Sequence, residues 1–127
     1  MVEIFEPNKL YLGCGKDPIT PRNKEIMDFF KNKFEEWRKN FSPIDCEIFD
    51  FSCKDINETV RILTKLTSES DKFNYIIVPL NTKLSTIATA LVALKNRRIQ
   101  VCYSIPEIYN CKNYSTPGNK VTVYSFI

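Results

Sequence analysis

Phe73-Asn74-Tyr75-Ile76-Ile77-Val78-Pro79-Leu80, continued by Asn81-Thr82-Lys83, decides how this chain is expected to fold. From Tyr75 to Val78 every residue is apolar or aromatic, with none of the alternation of a half-wet strand. Such a run reads as a strand covered on both faces, as at the centre of a parallel sheet. Asn81, Thr82 and Lys83 then turn the chain into a helix expected from about Leu84 to Arg97. Its Ile87, Ala88, Ala90, Leu91, Val92, Ala93 and Leu94 predict deep burial. Ile99 to Ile105 follows as another strand.

The same alternation of types extends towards the start. Lys9 to Cys14 reads as a first strand, closed by Gly13-Cys14-Gly15-Lys16-Asp17-Pro18, where glycines and a proline end regular structure. A helix is predicted from about Asn23 to Asn40, because Ile26, Phe29, Phe30, Phe34, Trp37 and Phe41 recur at helical spacing. This stripe, Trp37 included, is assigned to the core. Ser42-Pro43 stops the helix. Asp45 to Phe51 alternates and forms a second strand. Ser52 and Asp55 are both candidate N-caps for the next helix, with Glu58 completing a capping box; Ile56, Val60, Leu63 and Leu66 give it a buried stripe. An irregular stretch from Pro106 to Asn119 leads to a last strand, Lys120 to Phe126.

The order is therefore β-α-β-α-β-α-β, then a loop and a strand. Strands and helices in this alternation predict right-handed parallel crossovers. The expected fold is a single α/β domain over residues 1–127, three-layered, doubly wound and Rossmann-like. Its five-stranded sheet is mostly parallel, with an antiparallel C-terminal edge strand. The commonest strand order, 2-1-3-4, puts the first and third strands side by side.

Composition sets limits on chemistry. The 127 residues are 43% hydrophobic and 26% charged, ordinary values for a globular domain. No apolar run is long enough to cross a bilayer and the first residues lack the features of a secretory signal, so a cytosolic location is expected. There is no histidine, which excludes Ser-His-Asp and Cys-His catalysis and histidine-based metal sites. The five cysteines form no CxxC pair, and no metal or cofactor is expected. Cys46 and Cys102 read as small hydrophobes within strands. The net charge of +3 is spread through small clusters: Lys31, Lys33, Arg38 and Lys39 on one helix, and Lys95, Arg97 and Arg98 at the end of another. Neither is a footprint for duplex nucleic acid.

In a doubly wound sheet, ligands sit beyond the carboxyl ends of the strands, where the winding reverses. The loops leaving the first and third strands would be neighbours there. Gly13, Cys14, Gly15 and Lys16 offer close backbone approach and a cation, although GxG alone is not a dinucleotide fingerprint and no Walker A sequence is present. A turn that simply needs glycines accounts for them equally well. Asn81, Thr82, Lys83 and Ser85 stand at a helix N-terminus, where free N–H groups and the helix dipole suit an anion; a cap with a solvated lysine is the plainer reading. Tyr109, in the loop after the fourth strand, could stack on a base or could pack on the sheet edge.

A buried strand followed by Asn81-Thr82-Lys83 and an Ala-rich helix, over Pro79 to Ala90, resembles the CRISPR-associated Rossmann-fold (CARF) sensor domains and related Rossmann-like domains of bacterial defence systems. The resemblance implies a cytoplasmic homodimer that binds a nucleotide-like ligand with Asn81, Thr82, Lys83 and Ser85, and with Gly13, Cys14, Gly15 and Lys16. Leu80-Asn81 stands where that family usually has two glycines. A sensor or regulatory module for a nucleotide or other phosphorylated molecule is thus the leading expectation, with its effector on a separate chain. Two alternatives stand beside it. One is a small phosphoryl- or nucleotide-directed enzyme (hydrolase, nuclease or transferase) using Asp17 and Glu107 with Lys83, Asp50 being a weaker candidate. The other is a partner-binding subunit that meets its partner through the aromatic-rich first helix or the last strand.

Overall fold

A computed structural model describes residues 5–17, 21–41, 44–103, 105, 107, 121, 123 and 125. The elements follow the expected alternation: β1 (Lys9–Lys16), α1 (Pro21–Asn40), β2 (Asp45–Ser52), α2 (Ile56–Leu66), β3 (Tyr75–Ile77), α3 (Lys83–Lys95) and β4 (Ile99–Val101). Strand β1 runs parallel to β2 along all eight of its residues, from Lys9 opposite Asp45 to Lys16 opposite Ser52. β3 runs parallel to β4, from Tyr75 opposite Ile99 to Ile77 opposite Val101.

The sheet itself departs from expectation. Instead of one five-stranded Rossmann-like sheet, the described residues form two separate parallel pairs, β1-β2 and β3-β4. β1 does not pair with β3, so the 2-1-3-4 order and the central, doubly covered third strand are both corrected. The reason lies in β3 itself. It holds three residues rather than the eight expected, and Pro79 has no N–H to carry a ladder further. So short an edge offers few bonds to a third strand. Ile76 and Val101 are 39% and 41% exposed, as befits a pair that is not sandwiched. The expected last strand lies largely outside the described residues, and Val121, Val123 and Ser125 are in no strand.

The two β-α-β halves are held together by helices. α2 packs along α3, burying Ile56, Thr59 and Leu63 of the first and Ser85, Ala88, Thr89 and Val92 of the second. Small side chains let the helices approach closely, and the hydroxyls are satisfied locally. Thr89 Oγ1 donates to the Ser85 carbonyl at 2.9 Å. Thr59 Oγ1 donates to the Ser52 carbonyl at 2.9 Å, tying α2 to the end of β2. Asn96 adds a long bond from Nδ2 to the Thr67 carbonyl at 3.5 Å.

α1 lies against β1 and β2, but its aromatic stripe is not the closed core expected. Phe29 is 56% exposed and Trp37 41%, although Phe30, Phe34 and Trp37 stack in series with ring centroids 6.3 and 5.4 Å apart. A two-stranded sheet is too narrow to cover a twenty-residue helix. α3 is buried through Ala88 and Val92, as foreseen, yet Leu94 is exposed.

Candidate functional site

Glycine at position 15 decides how the β1 and β3–α3 loops meet. A Cβ built there would stand 2.5 Å from Cys53 Sγ and 2.9 Å from Asn81 Nδ2, closer than real side chains come. The backbone of β1 therefore runs directly against Asn81, without a third ladder to align the two. Cys53 lies between them, its Sγ 3.7 Å from Asn81 Oδ1 and its N–H bonded to the Lys16 carbonyl at 3.3 Å. Gly13 to Lys16, expected as a loop, instead continue β1 beside Phe49 to Ser52, and it is this strand end that meets Asn81, through side chains rather than a shared sheet. Gly13 has a different role, since a Cβ there would strike the Phe49 ring at 2.8 Å; it makes room for the core.

Ser52, only 2% exposed, organises the adjoining turn. Its Oγ donates to Asp17 Oδ2 at 3.0 Å and accepts from the N–H groups of Lys54 and Asp55 at 3.2 and 2.9 Å. Asp17 has φ +64, the left-handed region that a non-glycine residue adopts at some cost, and Ser52 holds it there. Asp55 caps α2, its Oδ1 accepting from the N–H groups of Asn57 and Glu58. Both cap candidates are thus in use, but the capping box is not closed: the Asp55 N–H belongs to Ser52, and Glu58 turns to Lys16.

That ion pair, Lys16 Nζ to Glu58 Oε1 at 2.5 Å, is the main obstacle to a ligand role for Lys16. The Glu58 carboxylate also raises the lysine's pKa, so the charge is retained but engaged. Sequence reading missed Glu58 because its position after Asp55 fits a capping box equally well.

At the start of α3, Thr82 is the N-cap and its Oγ1 accepts from Ser85 N at 3.2 Å. Ser85 and Thr86 both donate their hydroxyls back to the Thr82 carbonyl, at 2.7 and 3.2 Å. They serve the helix and are not presented outward. Asn81 and Lys83 are exposed, and Lys83 makes no ion pair among the described residues. Cys14 is buried within β1, and burial pushes both its thiol and that of Cys53 up. Both are therefore held protonated near neutrality, which is unsuited to nucleophilic chemistry. Glu107 is exposed, and Tyr109 lies outside the described residues.

Among the described residues no group of histidine, cysteine and carboxylate side chains could hold a metal ion, and no helix is long and apolar enough to cross a membrane. Compared with protein-family models, with curated proteins and with solved structures, the chain matches none.

Proposed function

We propose that this domain binds a nucleotide or another small phosphorylated molecule where the β1 and β3–α3 loops meet, and that it acts as a sensor or regulatory module rather than as a catalyst. The observation that carries the reading is the packing of Gly15 against Asn81. It brings the end of β1 to the N-terminal end of a thirteen-residue helix. At that end the Ser85 N–H is taken by Thr82, whereas the first N–H groups, those of Lys83 and Leu84, have no partner within the helix. Exposed Lys83 adds a full charge to this positive end, a combination that favours phosphate. The resemblance to CARF domains over Pro79 to Ala90 points to the same ligand class and to action as a homodimer.

Catalysis has less behind it. Asp17 is hydrogen-bonded to Ser52, and the Cys53 thiol at the junction is held protonated by burial.

The test is a thermal-shift screen of mono-, di-, cyclic and oligonucleotides on the whole chain, with native mass spectrometry for retained ligand and oligomeric state. A ligand at a hundred times its Kd stabilises by about 2.7 kcal/mol, and Lys83→Ala abolishes most of that shift. A broad panel without stabilisation, together with no co-purified ligand, refutes the reading.

A further inference from the structure

A second feature lies on the other side of β1. Successive strand residues point to opposite faces, so Cys14 faces away from the Gly15–Asn81 junction and towards α1. There a cleft of about 200 Å³ opens between the ends of β1 and β2 and the first turns of α1. Cys14 and Met27 give it an apolar floor. Lys24, Asp28 and Lys31 of α1 and Asp50 of β2 stand around it.

These charges are left apart. Lys24 and Asp28 are four residues apart, Asp28 and Lys31 three, the spacings at which helical ion pairs form. Elsewhere on α1 such pairs do form: Lys33 Nζ lies 2.8 Å from Glu36 and Arg38 Nη2 3.0 Å from Glu35. Around the cleft, among the described residues, neither lysine pairs with either aspartate. The other two charges on the rim are engaged outside it, Lys16 by Glu58 and Asp17 by Ser52. Among the described residues, two cations and two carboxylates without an ion-pair partner thus surround one small cavity with an apolar base.

We infer that this cleft is a binding site for a small zwitterion the size of a free α-amino acid. Its carboxylate is taken by Lys24 and Lys31, its ammonium by Asp50 and Asp28, and a short apolar side chain rests on Met27. A phosphate dianion is disfavoured, because it would meet as many carboxylates as lysines. A cleft of about 200 Å³ has room for a small amino acid. The four charged residues are exposed, so screening limits affinity to about the millimolar range.

The site is separate from the phosphate site proposed above and stands or falls without it. Ligand-observed NMR on the whole chain, titrating glycine, L-alanine and L-serine beside acetate, ethylamine and inorganic phosphate, tests it. Saturable amino-acid binding is expected, weakened about fivefold by Asp50→Asn or Lys31→Ala, kept by Lys31→Arg and untouched by Lys83→Ala. Both substituted residues are exposed, so the fold is not at stake. No saturable amino-acid binding, equal binding of acetate, ethylamine or phosphate, or affinity unchanged in both Asp50→Asn and Lys31→Ala would each overturn the inference.

Discussion

Replacing Gly15 by alanine asks one methyl group to report whether the two halves of the molecule touch. Gly15 has no positive φ, so alanine fits the backbone and gains about 0.4–1 kcal/mol by restricting the unfolded chain. Against that, the new Cβ would stand 2.5 Å from Cys53 Sγ and 2.9 Å from Asn81 Nδ2. Relief requires Cys53 to rotate and Asn81 to withdraw, overpacking that costs about 1–3 kcal/mol. The net expectation is a loss of about 1 kcal/mol, a fall of about half a molar in the urea midpoint at unchanged slope. Urea titrations followed by Trp37 fluorescence and by circular dichroism measure it. Cys53→Ala removes the nearer obstacle, so in that background the same glycine substitution should cost markedly less, a coupling of about 1 kcal/mol between the two positions. A neutral or stabilising Gly15→Ala, or an equal cost in both backgrounds, would refute the packing of the β1 loop on the β3–α3 loop.

Other perturbations follow from the same geometry. Ser52→Ala leaves the N–H groups of Lys54 and Asp55 and the Asp17 carboxylate without their shared partner, and should lower stability by about 1–3 kcal/mol in urea titrations. Asp55→Ala removes a cap that serves two N–H groups and should cost about 1 kcal/mol, more than Thr82→Ala, whose hydroxyl serves one; paired thermal melts rank them. Glu69 is held below its ordinary value of 4.5 by the Tyr11 hydroxyl and then by Lys9. A depressed carboxylate contributes stability above its unfolded pKa and loses it as pH falls through the folded one. Glu69→Gln should therefore flatten the decline in urea midpoint below pH 4.5, and an unchanged acid slope would count against that contact.

Local signals were legible in the chain and pairing between distant segments was not. Aromatic spacing from Ile26 to Trp37 marked α1, alternation marked β2, and Asp55 was a readable cap because its oxygen acts on residues two and three positions ahead. The run from Tyr75 to Val78 misled, since an unbroken apolar run states what a segment prefers to bury, not which edge it finds. Pro79 carried a contrary signal, a missing donor beside β3, and deserved more weight than the run before it. The nearness of the segments after the first and third strands was expected from a strand order that does not exist, and neither the particular contact of Gly15 with Asn81 nor the Cys53 that joins them was marked in the sequence. Lys16 was legible as a cation and illegible as a partner of Glu58, because that carboxylate satisfied a local rule just as well.

The seam between α2 and α3 has a dynamic consequence. With no ladder shared across the halves among the described residues, slow amide exchange should divide into two groups, β1-β2 with its helices in one and β3-β4 with α3 in the other, each opening at its own free energy. A molecule bridging the end of β1 and Lys83 would clasp those two units, and its arrival would register as the merging of two exchange regimes into one.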